Sequence, residues 1–316
     1  MTSSELSPWL IALMTVLLVI LVDRVWHIPD RFNPVTLYRL MVLNLATRVL
    51  PDQTAPTSQH YISGTLGIIV LLVPMLVVVA IIISAMEFKQ VVDGLILFGC
   101  VGFYNVRKQY KAVVYCLSKQ KKLLARERVS HLVARQTDRL SDIGIAKAAI
   151  ESYLLRFLQQ FIGVLFWFLL AGPIAALGYR MLLEFRWQWH RQRPGFERFS
   201  IPAYYLTQVL IWPGYVIGTM LLMLVTSPLK GVAAWRNARQ KDLTSTVLAM
   251  FGGSMNIILG GPNIYNDRTV RHQRVGGANQ VRFSDLTYVL RAINRATWLG
   301  MILLTLVMIT SWQITK

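Results

Sequence analysis

The chain has 316 residues, 54% of them hydrophobic, with a mean hydropathy of +0.47 and a formal charge of +18 at pH 7. This balance excludes an ordinary soluble domain: the Lys and Arg residues stand mainly between apolar segments, the pattern of membrane topology, and no recognised nucleic-acid motif accompanies them. The lipid bilayer is the expected partner and nucleic acid is not, while Cys100 and Cys116, without CxxC spacing, imply neither a metal site nor a disulfide framework.

The first apolar segment, 6–22, carries Glu5 instead of a basic n-region, and no small-x-small site follows before Asp23-Arg24, so it reads as an uncleaved anchor. Between His60 and Glu87 no charged side chain occurs, and Ile68 to Ser84 is apolar except for Pro74. A helix rises 1.5 Å per residue, so roughly 20 such residues cross the hydrocarbon core and 62–86 predicts a span. Segment 91–104 is shorter and contains Asp93, which suits a re-entrant or tilted piece. Further spans are predicted at 157–179, 204–227 and 296–312. The expected fold is all-α: a single polytopic membrane domain over 1–316, with five or six transmembrane helices and two basic helical cytoplasmic loops, 105–156 and 228–295.

With six spans, segments 23–62, 105–156 and 228–295 share one side and hold 26 of the 33 Lys and Arg residues. The positive-inside rule assigns that side to the cytoplasm and implies a multi-pass protein of the inner membrane. On the same count the five arginines of 180–200 lie opposite.

Loop 105–156 shows Val106, Tyr110, Val113, Leu117 and Leu124 near helical spacing among Arg107, Lys108, Lys111, Lys119, Lys121 and Lys122. Such a helix faces solvent or headgroups, or serves as a landing surface for a phosphate-bearing substrate. Asp138 or Ser141 can cap a second helix through Ile143, Ala146, Ile150 and Leu154, on which Lys147 and Glu151 are spaced for an i,i+4 ion pair. The aromatic and arginine stretch Phe185 to Phe199 has the residue types of an interfacial belt, which nucleobase stacking also uses. His27, His60, His131, His190 and His272 show no paired ligand spacing.

Segment 243–265 is uncharged and holds Gly252-Gly253, Asn256 and then Gly260-Gly261-Pro262-Asn263-Ile264-Tyr265. Paired glycines allow left-handed backbone, Pro262 fixes one φ, and Asn263 can bond its own backbone, so a corner presenting backbone N–H groups is predicted, or simply a helix stop and turn. No GxxxxGK[ST] occurs, which leaves a Walker-type ATP site unsupported.

At this corner the chain resembles the CobD/CbiB family of membrane adenosylcobinamide-phosphate synthases of cobalamin biosynthesis. The likeness rests on Gly260-Gly261-Pro262-Asn263-x-Tyr265, Phe283-Ser284-Asp285-Leu286 and a final span. Upstream it includes Arg135-x-Thr137-x-x-Leu140, Ala149-Ile150-Glu151-Ser152, Phe166 through Gly172, and Tyr179, with Asp23 and Asn33-Pro34-Val35 near the N-terminus. The resemblance implies an amide-forming ligase that joins cobyric acid to aminopropanol or its phosphate, with Mg²⁺ and ATP as cofactors if the activity is retained; no cofactor is otherwise evident. Arg135, Thr137, Glu151, Gly260, Gly261, Pro262, Asn263, Tyr265 and Asp285 would line the site, with Glu151 as the catalytic carboxylate, Arg135 as an anion clamp and a corrinoid or phosphate-bearing molecule as ligand.

The departures fall on polar positions. Where the family carries a Glu-Asn-x-x-Asp-Gly run this chain has Leu155, Arg156, Gln159 and Gln160, and where it carries Asn-Thr-x-Asp-Ser it has Leu183, Glu184, Arg186 and Trp187. The family's Ser-Pro-Asn and a downstream glutamate are replaced by Asp242-Leu243 and Leu248. Guanidinium groups in place of carboxylates repel a dication. Arg156-Phe157, Leu165-Phe166-Trp167, Gly178-Tyr179 and Arg186-Trp187 are also similar to AmpE, a divergent relative linked to β-lactamase induction, which lacks the Gly-Gly-Pro-Asn corner. Three functions follow: a degenerate member that binds a ligand or partner and regulates, as an AmpE-like signalling modulator of β-lactamase induction would; an active adenosylcobinamide-phosphate synthase; and a small transporter. The shortage of intramembrane carboxylates weakens the last. The resemblance leaves the side of 180–200 open, because the family's polar counterpart is a candidate for folding back toward the cytoplasm.

Overall fold

The computed structural model describes residues 8–26, 29, 33–52, 54–238, 242–265 and 268–315. Glu5 and His27 lie outside them, as does Lys316. The described chain is helical apart from one two-stranded sheet. Its contacts divide it into two compact units, the first drawn from Met1–Tyr104, Gln160–Ile211 and Gly300–Lys316, the second from Asn105–Gln159 and Trp212–Leu299.

In the first unit α1 (Pro8–Val25) leads to α2 (Pro34–Val49), which Pro34 opens with φ preset for a first turn while the Asn33 side chain accepts from the Val35 N–H at 2.9 Å. Then come α3 (Thr57–Ala85) and α4 (Lys89–Val101). The predicted weak segment is thus a 13-residue helix, ended by Gly102 in the left-handed conformation. Gly64 and Gly67 let α3 approach closely: a Cβ on Gly64 would lie 2.3 Å from the Phe199 carbonyl oxygen, and one on Gly67 would lie 3.1 Å from the Trp189 ring. Trp189 sits at the centre of this core with Tyr38, Val42, Ile68, Phe185 and Phe199, its indole N–H donating to the Val42 carbonyl at 3.1 Å.

In the second unit α5 (Phe103–Ser118) begins at the unit boundary and is followed by α6 (Lys122–Ser130) and α7 (Asp142–Arg156). A π-helical turn, Phe157–Ile162, joins α7 to α8 (Gly163–Gln188). The predicted span 157–179 is not one straight rod. Ala171 (φ −139°) and Gly172 (φ +80°, ψ −170°) leave helical geometry, and Pro173 follows. Residues 163 and 179 would be about 24 Å apart along a continuous helix. Here a Cβ on Gly163 would stand 2.3 Å from the Tyr179 hydroxyl, and the Trp167 and Tyr179 rings are 6.3 Å apart. The chain therefore reverses at Gly172, because glycine alone tolerates that backbone and the following proline cannot continue the hydrogen-bond ladder.

A short α9 (Phe196–Phe199) precedes α10 (Ile201–Leu224), then α11 (Pro228–Asn237) and α12 (Leu243–Ser254). Loop 228–295 departs from its helical expectation here: β1 (Ile258–Tyr265) and β2 (Arg268–Gly276) pair antiparallel before α13 (Phe283–Thr315). Among the described residues five helices are long and apolar enough to cross a membrane, Pro8–Val25, Thr57–Ala85, Asp142–Gln188, Ile201–Leu224 and Phe283–Gln313, which makes the chain a multi-pass membrane protein.

Candidate functional site

Ser141 caps α7, its Oγ accepting from the Gly144 N–H at 3.2 Å, and this sets the helix so that Glu151 faces β1. Glu151 is buried, and both of its oxygens are engaged. Oε1 accepts from the Gly260 backbone N–H at 2.7 Å, and Oε2 accepts from Arg135 at 3.2 Å. Arg135 also donates to the Asn263 side chain, and the Gln136 N–H bonds the Ile264 carbonyl at 2.9 Å, so residues 135–136 run beside β1. Thr137 is buried on the same segment.

The Gly-Gly-Pro-Asn element is not a helix stop. It lies in β1 at a bulge of the sheet: Gly260 pairs with Arg274 and Pro262 with Arg271, so that two residues of β2, His272 and Gln273, stand opposite Gly261 alone. Gly260 (φ +70°) and Gly261 (φ +110°) adopt backbone that a side chain would strain. A Cβ on Gly260 would also lie 2.3 Å from the Gln273 carbonyl oxygen. At Gly261 the Lys147 ammonium stands 3.5 Å from where a Cβ would be, with the Arg274 Cγ at 3.5 Å and its Nε at 3.8 Å.

The predicted Lys147–Glu151 pair is replaced by the Arg135–Glu151 pair. Lys147 attracts Glu151 electrostatically but reaches toward Gly261, and among the described residues neither Lys147 nor Arg274 forms an ion pair. Burial pushes the Tyr265 phenol above its ordinary range, with Arg135, the Asn263 side chain and Glu151 as its polar neighbours. Glu151, Arg135, Gly260, Gly261, Pro262, Asn263 and Tyr265 thus converge, with Thr137 on the adjoining segment. Asp285 stands apart from them and caps α13, its carboxylate accepting from the Arg282 N–H at 2.7 Å.

Lys147 and Arg274 as walls of this site were not read from sequence. The run Arg268-Thr-Val-Arg271-His-Gln-Arg274-Val after Tyr265 was the available sign of a second, basic strand. A buried cluster in the first unit was also missed. Glu184, fully buried, binds Arg180 at 2.7 Å and Arg39 at 3.2 Å, and Arg180 donates onward to the Cys100 carbonyl at 3.0 Å. The i,i+4 spacing of Arg180 and Glu184 was its visible signal.

The donor set around Glu151 does not fit a resident Mg²⁺. A hard dication needs several oxygen ligands, whereas the single carboxylate is held by a guanidinium and an amide and flanked by cations. Among the described residues no three His, Cys, Asp or Glu side chains are grouped as a metal site. The arrangement can hold an anion, because the Lys147 ammonium and the Arg274 and Arg135 guanidinium groups meet at one bulge.

Fold and site together define a helical membrane protein with a cation-walled β-bulge. The chain matches the CobD/CbiB protein family model over residues 16–310, and it belongs to that family. Similar curated proteins carry the name cobalamin biosynthesis protein CobD. That of Chromobacterium violaceum is 24% identical over 285 residues, covering 89% of this chain and 91% of the relative. That of Mycobacterium tuberculosis is 24% identical over 291 residues, covering 89% and 90%. That of Stutzerimonas stutzeri is 28% identical over 145 residues, covering 45% and 48%. No solved structure gives a significant match.

Proposed function

We propose that this chain is a ligand-binding CobD/CbiB member that serves cobalamin biosynthesis at the inner membrane without carrying out the amide-forming step. Its ligand is an anionic corrinoid or a phosphate-bearing fragment, received by Lys147, Arg274 and Arg135 around the Gly260–Gly261 bulge. The observation that supports this most is the state of Glu151: both carboxylate oxygens are tied down by Arg135 and the Gly260 amide, leaving the site cationic and short of ligands for a metal-activated nucleotide.

An anion entering at the bulge would compete with Glu151 for Arg135, and the carboxylate would act as an internal stand-in that keeps the guanidinium paired when no ligand is bound. A retained synthase activity is the second reading, favoured by the names of the curated relatives. Complementation separates the two. A strain lacking its synthase, grown so that it must make cobalamin from cobyric acid, should not be rescued by this chain at normal membrane expression. Rescue that disappears with Glu151→Gln at equal protein level would establish catalysis instead. Titration of the purified chain with cobyric acid and with inorganic phosphate should show saturable binding that Lys147→Ala weakens.

A further inference from the structure

We infer that residues 157–188 form a membrane-embedded helical hairpin that returns the chain to the side it entered from. The arginine- and tryptophan-rich segment up to Phe199 then meets the same headgroup layer as the two basic loops. Contacts across the hairpin carry this. Gly163 touches Tyr179, and Trp167 lies against the same ring, as only antiparallel arms on either side of Gly172 allow. Gln160 on the first arm donates to the Val101 and Gly102 carbonyls at 2.8 and 3.2 Å, while Arg180 on the second donates to the Cys100 carbonyl at 3.0 Å. Side chains from opposite arms therefore grip successive carbonyls, Cys100, Val101 and Gly102, at the C-terminal end of α4, which a single crossing helix could not arrange.

Charge gives an independent line. With 157–179 as one crossing, seven Lys and Arg residues lie opposite the basic loops; with the hairpin, Arg191, Arg193 and Arg198 join the 26 of the basic segments on one side, Arg180 and Arg186 ride on the returning arm, and only Lys89 and Lys316 remain on the other side. The positive-inside rule holds most strictly for short connections such as 189–200, so the hairpin satisfies it where a crossing violates it. The hairpin also constrains α10. The bond from Glu151 to Gly260 and that from Gln136 to Ile264 require loops 105–156 and 228–295 to share a side. A chain that has already returned at Gln188 must then reach Pro228 without a net crossing. α10, long enough to span, keeps one apolar stripe (Tyr205, Val209, Trp212, Met220) exposed and the opposite one buried, as a helix laid along the protein surface in lipid would.

The test is cysteine accessibility in the full chain. Cys100 and Cys116, both buried, are replaced by Ala, and single cysteines are placed at the exposed positions Lys121, Glu197, Lys230 and Glu87. A membrane-impermeant maleimide is applied to sealed right-side-out and inside-out vesicles. Glu197→Cys should react in the same vesicle orientation as Lys121→Cys and Lys230→Cys, and Glu87→Cys in the opposite one. Reaction of Glu197→Cys with the Glu87→Cys orientation would overturn the hairpin. Reaction only after detergent dissolves the bilayer would overturn the placement of the segment at the headgroups. A Lys230→Cys that reacts opposite to Lys121→Cys would overturn the path given to α10. Detergent-solution melting of each variant, unchanged from the cysteine-free parent, guards against misfolding.

Discussion

Replacing Glu151 by Gln keeps an acceptor for the Gly260 amide and strips Arg135 of its counter-charge. Both side chains are about one-tenth exposed, at 11% and 10%, so solvent relieves little of the loss. Removing one partner of such a pair costs about 3 kcal/mol, and the variant should show a clear drop in melting temperature in detergent, with Arg135→Met falling similarly. The glycines of the bulge should separate in the same assay. Gly260→Ala meets both left-handed backbone and the Gln273 carbonyl, whereas Gly261→Ala meets strain and contacts that flexible Lys147 and Arg274 side chains can yield. Gly261→Ala should cost about 1–2 kcal/mol and Gly260→Ala more. If Lys147 and Arg274 hold the ligand, Gly261→Ala should weaken binding beyond its effect on stability. The identities of Glu151, Arg135 and the glycines were legible as a resemblance. Their mutual bonding was not, because Arg135 and Asn263 are 128 positions apart and no local rule pairs them.

Helix α8 turns on two glycines with different duties. Gly172 has open space around its Cβ position, so Gly172→Ala tests backbone strain alone, about 1–3 kcal/mol. Gly163 has ordinary helical backbone but lies against the Tyr179 hydroxyl, so Gly163→Val should destabilise through a clash, and pairing Gly163→Ala with Tyr179→Phe should recover part of what Gly163→Ala loses. Thermal unfolding of the single and double variants measures both. The apolar run 157–179 had the length of a span, and its Ala-Gly-Pro was the visible hint of a break; hydropathy counts residues and is blind to direction. The hairpin of β1 and β2 escaped for a similar reason. Glycines and a proline weaken the strand pattern of 258–265, and the sheet is held together by pairing with a basic partner strand.

At the scale of the whole molecule, buried phenols make folding sensitive to alkali. Burial above all, with Tyr153 and Asp285 adding to it, pushes Tyr110 well above its ordinary value, and burial likewise raises Tyr265. Tyr110 stacks on Tyr153 at 4.2 Å and donates to the Leu286 carbonyl at 2.9 Å, which ties α5 to α7 and to the start of α13. A raised folded value means that these phenols contribute their full stability below pH ~10, the ordinary tyrosine value. The contribution is lost as the pH climbs from there toward the folded values, because the unfolded chain ionises first. Melting temperature should hold below that point and fall above it, and Tyr110→Phe should lower the plateau while flattening the decline.

What the sequence determined by itself was the solvent and the family: long uncharged runs call for lipid, and the motif spacing that carries the family resemblance is read along one dimension. The tertiary structure decided which way the chain goes after Gly172, and which cation neutralises Glu151. Both depend on groups brought together from distant positions: a ring that fits only against a glycine, and a carboxylate whose partners, an arginine and a strand amide, come from different segments.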